Sequence, residues 1–147
     1  MASRARTAHP TPRTGADAPR RITPSSPATG GSGDDLAIGA LTGALNGLSI
    51  REKYIAADTA NIETPGYLAH RVDFESSLKA ALSEGSDPTS ATSSVLTSLE
   101  PTRTNGNNVN LDEESLQAVD TGLRYQLAGE AVSNTFSRLR MAIGGGA

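Results

Sequence analysis

At 147 residues, with 3% aromatic residues and no tryptophan, the chain has material for one domain at most and few rings for a thick globular core. The absence of cysteine excludes a disulfide framework and cysteine-based zinc sites. The net charge of −3 is unevenly spread: residues 1–33 hold five arginines against Asp17, and the remainder is acidic. Five dispersed arginines are few for a nucleic-acid patch, so the basic segment reads first as a solvated arm.

Residues 1–33 are rich in Pro, Thr, Ser, Ala and Gly, with Ile22 the only large aliphatic after Met1. Such a segment cannot offset its ordering entropy, which predicts a disordered basic arm. Arg20-Arg21 is followed by no apolar stretch, so no cleavable export signal is expected. No run approaches the ~20 apolar residues of a membrane span. Asp34-Asp35 then suits the start of a helix.

A helix is predicted over 36–62. Leu41, Leu48, Ile55 and Ile62 recur every seven residues, the spacing of a coiled-coil seam. Gly39, Gly43 and Gly47 fall four apart on one side. Either a neighbouring helix approaches them closely, or the helix start is simply weak, since each costs about 1 kcal/mol against alanine. Thr64 precedes Pro65, which disfavours helical geometry there. Pro65-Gly66 then supplies a type II turn, placing a turn over 63–73 with Tyr67 directly after the glycine.

Asp73 can cap a short helix over 74–82 that carries Phe74, Leu78 and Leu82 on one face, and Gly85 ends it. Residues 83–109 read as a Ser/Thr-rich loop with one short extended piece around Val95, Leu96 and Leu99. Asn105-Gly106-Asn107-Asn108 is turn chemistry. Asn110 stands three before Glu113, a capping-box spacing, and opens a second long helix over 111–143. Its apolar positions are Leu116, Val119, Leu123 and Leu127, then Val132, Phe136, Leu139 and Ile143, with a stutter between the two sets. The fold class is mainly α: two long terminal helices in an antiparallel coiled-coil hairpin, with a short helix and irregular sequence between.

Catalysis finds no support in the residues. His9 lies in the arm and His70 in the loop after the turn, and no nucleophile–base pair accompanies either. No phosphate loop or EF-hand spacing occurs, so no catalytic residue, metal or cofactor is expected. Terminal helices with seven-residue spacing instead suggest pairing with each other, with neighbouring subunits, or both. The helical core residues are then Leu41, Leu48, Ile55, Ile62, Leu123, Phe136 and Leu139. The junction is shaped by Asn61, Thr64, Pro65, Gly66, Tyr67, Asp73 and Phe74.

The helix end running through Ala60-Asn61 into Thr64-Pro65-Gly66-Tyr67 resembles the N-terminal signature of bacterial flagellar axial proteins. Val72-Asp73-Phe74-Glu75, the stretch 106–114, Leu123-Arg124-Tyr125-Gln126 and the run 136–143 are most similar to the proximal members of the flagellar basal body rod protein family. The match covers roughly residues 41–82 and 105–145. Asp58, Glu63 and Leu68 depart from residues common in that family, where amide, small and lysine side chains are usual.

The resemblance implies a structural rod subunit that polymerises through its terminal helices into a helical tube and helps transmit motor torque for motility. It further implies uncleaved export from the cytoplasm through the flagellar type III apparatus. The implied partners are other rod subunits and the adaptor between export gate and rod, with no nucleic acid. A secreted helical-hairpin binding module of another secretion system is the alternative reading.

Overall fold

The computed structural model describes residues 33–144. The basic arm expected over 1–33 lies outside the described residues except for Gly33. The element order is α1 (Gly33–Ala60), β1 (His70–Asp73), α2 (Glu75–Glu84), a 3-10 turn (Pro88–Ser90), β2 (Ser94–Thr97) and α3 (Leu111–Gly144). The chain is mainly helical, as the sequence predicts.

Helix α3 begins where α1 ends. Asn107, just before α3, bonds the carbonyls of Asn61 and Thr64 just after α1, so α3 runs back along α1 as the second arm of a hairpin. Leu48 and Ile55 from the seven-residue row are buried, while Leu41 and Ile62 are half-buried.

Helix α1 stops two residues before the expected end at Ile62. Thr64 N–H turns back to Asn61 O at 2.9 Å, and the side chain of Asn107 takes the Asn61 and Thr64 carbonyls that a continuing helix would use. The turn expected over 63–73 is shorter than that span, because its last four residues form β1. These pair antiparallel with β2, with Arg71 opposite Leu96 and Val72 opposite Val95. The expected loop 83–109 therefore contains both the 3-10 turn and β2.

The short helix is shifted by one residue at its start. Its N-cap is Phe74 and not the expected Asp73, whose carboxylate just before the cap accepts from Ser76 N–H at 3.2 Å and Ser76 O–H at 2.6 Å. Gly85 ends it in the left-handed conformation at φ 68°.

The glycine row of α1 receives close neighbours, and they come from α2 and the 3-10 turn, not from α3. A Cβ at Gly47 would lie 2.1 Å from Phe74 Cγ, and one at Gly43 would lie 2.6 Å from Pro88 O. The three glycines thus form a groove for the Phe74 ring, Leu78 and Pro88.

Helix α3 changes face along its length. Leu116, Val119, Leu123 and Leu127 are 71%, 62%, 57% and 66% exposed, whereas Glu114 and Thr121 are buried. Further on, Thr135 is buried and Val132 and Leu139 are half-buried. At about 100° per residue the first apolar set and the Val132/Leu139 set point nearly opposite ways. The stutter in the sequence is a switch from the outer to the inner side of the hairpin.

Candidate assembly junction

The junction is built where the C-terminal turn of α1, the strand β1 and the start of α3 meet. Its largest fully buried side chains are all polar: Glu114, Asn107 and Asp58. Buried polar groups must be bonded to be tolerated, so their partners define the geometry.

Asp58 lies in the last turn of α1 and is fully buried. One carboxylate oxygen accepts from Tyr67 O–H at 2.8 Å and from His70 Nδ1 at 2.9 Å. The other accepts from the backbone N–H of His70 at 2.6 Å. With a carboxylate as its acceptor, Nδ1 of His70 carries the proton. The His70 ring also packs 5.2 Å from Tyr54 and 5.7 Å from Tyr67. Burial first, then the hydrogen bond to Asp58, pushes the Tyr67 phenol up to about 12.

Arg71, next on β1, reaches across to α3. It donates to Glu113 at 2.6 Å and to Glu114 at 3.0 Å. Burial pushes the Glu114 carboxyl above the usual range even though Arg71 favours its charge. Among the described residues, the second oxygen of Glu114 and the hydroxyl of Thr121 have no partner.

The segment 103–109 clamps the other side. Asn107 Nδ2 donates to the Asn61 and Thr64 carbonyls, both at 2.9 Å, and its Oδ1 accepts from Val109 N–H at 2.7 Å. Asn108 accepts from Ala69 N–H at 2.7 Å and donates to the Ser98 and Glu100 carbonyls. Arg103 donates to Ile62 O at 2.5 Å. Gly66 N–H donates to Asn105 O at 2.9 Å, bringing two turns together backbone to backbone. Gly66 and Gly106, at φ 73° and 80°, adopt the left-handed geometry that this approach requires.

Asn61, Thr64, Gly66 and Tyr67 therefore come together at one junction, with Pro65 exposed at its rim. Asp73 and Phe74 sit elsewhere, at the start of α2, where the Arg51 guanidinium lies 4.8 Å above the Phe74 ring. Leu123 and Phe136 are exposed, at 57% and 50%, and Leu139 is half-buried, so the first two are outside the hairpin's own core. Helix periodicity could not assign them, because the apolar row changes face along α3 and its first half lies on the outer side.

Sequence reasoning missed Asp58, His70, Arg71, Asn107 and Glu114 as a connected set. The available signal was the paired amides in Asn105-Gly106-Asn107-Asn108, more than a turn needs. Of the departing residues, Asp58 is the hub of the network, Glu63 is solvent-exposed 3.8 Å from Arg103, and Leu68 is exposed.

Chemically the network is a cross-link. A phenol raised to about 12 is the reverse of an activated nucleophile. Among the described residues no group of three or more His, Cys, Asp or Glu side chains could hold a metal ion. No described helix is long and apolar enough to cross a membrane.

No family model matches the chain. Among curated proteins, it is 34% identical over 110 residues to flagellar basal body rod protein FlgB of Escherichia coli (strain K12), covering 61% of this chain and 80% of the relative. FlgB of Bacillus subtilis (strain 168) is 30% identical over 118 residues, covering 72% and 92%. FlgB of Salmonella typhimurium (strain LT2) is 28% identical over 123 residues, covering 70% and 89%.

Proposed function

This chain belongs to the FlgB family of flagellar basal body rod proteins, and from that premise we propose that it is a structural subunit of the rod that polymerises through its terminal helices. Its place is the flagellar basal body, where it assembles with other basal body components. Within that setting its neighbours are further rod subunits and the adaptor between export gate and rod. It reaches them through the flagellar type III apparatus, and as part of the rod it helps carry motor torque.

One observation supports polymerisation most directly. Leu116, Val119, Leu123 and Leu127 form an apolar stripe on the outer side of α3, each more than half exposed. A hairpin helix turned polar side inward and apolar side outward is completed only by neighbours. Leu41, Leu48, Ile55 and Ile62 hold the hairpin that presents this stripe, with Leu139 alongside, and Phe136 adds an exposed ring further along α3. The junction motif ties the end of α1 to β1 and to the start of α3. No observation favours the binding module of another secretion system.

The test is a Leu116→Asn, Leu123→Asn double variant expressed in a strain lacking the native chain. Both positions are exposed, so the purified variant should keep its helical circular dichroism and melting temperature. The cells should export the subunit yet lack hooks and fail to swim. Normal swimming by that strain would overturn the role given to the stripe.

A further inference from the structure

The two edges of the β1–β2 ribbon are treated differently. Ser98 N–H donates to Ala69 O at 2.7 Å, so with the observed register the bonded positions are Ala69–Ser98, Arg71–Leu96 and Asp73–Ser94. The intervening residues turn their backbone groups outward. On β1 these outward groups are plugged by α1: His70 N–H meets Asp58 at 2.6 Å, and Val72 O accepts from Arg51 at 2.8 Å. On β2 the outward groups belong to Val95 and Thr97, and among the described residues they have no partner.

That open edge lacks the devices that usually blunt one. Residues 91–99 contain no charge and no proline, and no bulge interrupts the ladder. Val95, Leu96 and Leu99 are 38%, 57% and 99% exposed. A two-stranded ribbon is itself marginal and gains from further strands.

The edge is also complementary to itself. Val95 and Thr97 flank Leu96, so two antiparallel β2 strands related by a two-fold axis through Leu96 would exchange bonds between Val95 of one copy and Thr97 of the other, twice. Leu96 would then face its own counterpart at a non-bonded position. An uncharged strand sets no like charges against each other, although the body as a whole is acidic.

We propose that β2 pairs with β2 of a second copy, two-fold and antiparallel, joining two ribbons into one four-stranded sheet. A two-fold contact closes on itself and does not repeat along a polar axis. The pair therefore belongs to chains not yet incorporated into a rod, and it covers the strand edge until assembly. The inference stands on the ribbon's geometry and does not depend on the helix stripe.

The chain has no native cysteine, so single-cysteine variants of the full chain test the proposal cleanly. Opposed Cβ atoms at a non-bonded antiparallel pair lie about 4.5–5.5 Å apart, near disulfide range. Two copies of residue 99 would instead be separated by about 20 Å along the strands. Under mild oxidation Leu96→Cys should form a covalent dimer at least about tenfold faster than Leu99→Cys, despite the greater exposure of Leu99. Adding Val95→Pro removes an outward N–H and spares the ladder to β1. It should abolish the cross-link while the circular dichroism stays unchanged. Equal rates for the two cysteines, a cross-link that survives the proline, or no dimer at any protein concentration would each overturn the proposal. So would a Leu96→Cys chain that cross-links in cells only to a different basal body protein.

Discussion

The junction and the glycine groove of α1 are held by different physics. At the junction end the buried volume is occupied by Asp58, Asn107 and Glu114, each placed by directed bonds. Toward the start of α1 the glycine row admits Phe74, Leu78 and Pro88 by bare contact. Directed bonds fix an angle, because a buried donor or acceptor that misses its partner is penalised. Contact fixes a separation and tolerates sliding. The chain uses the first where it must fix β1 and the start of α3 against the end of α1, and the second where it needs only to bring α2 and the 3-10 turn close to α1.

That contrast can be broken by substitution. The largest effect is expected for Asn107→Ala, which removes one of two donors from each of the Asn61 and Thr64 carbonyls and leaves Val109 N–H without its acceptor. It should cost about 2–4 kcal/mol in urea unfolding with an unchanged m-value. A loss below about 1 kcal/mol would mean that the clamp is incidental.

Gly47→Ala comes next. Its methyl would sit 2.1 Å from a ring atom of Phe74, which is itself 5% exposed. Overpacking of about 1–3 kcal/mol should outweigh the gain of about 1 kcal/mol in helix propensity.

Tyr67→Phe removes one of the three donors to Asp58 and should cost about 1–2 kcal/mol. Its pH dependence has a definite sign. The folded phenol titrates at about 12 against an ordinary 10.0, so the folded chain holds that proton more tightly. The resulting stabilisation is complete below pH 10 and is lost as pH rises toward 12. Ultraviolet titration should show a phenol ionising near 12 in the native chain and none there in the variant.

Gly39→Ala should have the smallest effect and the opposite sign. Its methyl meets Pro88 Cδ at an ordinary 3.5 Å, so up to about 1 kcal/mol of helix propensity should appear as stabilisation. If Gly39→Ala instead destabilises as much as Gly47→Ala, the groove is a uniform requirement and not a graded fit.

Much of this was legible before any coordinates. Pro65-Gly66 marks where α1 must stop, Gly85 marks the end of α2, and the Leu48–Ile55 spacing marks a buried side of α1. The relevant physics is local in each case: backbone sterics, a left-handed cap and helical period. The network at the junction was illegible because its bonds span large separations, 46 residues from Asn107 to Asn61 and 43 from Arg71 to Glu114. A single sequence carries no signal of which distant polar groups will meet. The strand pair was hidden likewise, since His70–Asp73 has no strong alternation and gains its partner only across the intervening helix.

The sequence alone thus determined the kind of elements, their approximate limits and, through residues 57–74 and 105–143, the family. Tertiary structure decided which faces those elements show. Periodicity says that a helix has an apolar side, but only packing says whether that side is turned in or out. Here the first half of α3 turns it out, because Glu114 reaches inward to Arg71 and the buried Thr121 takes the inner side with it.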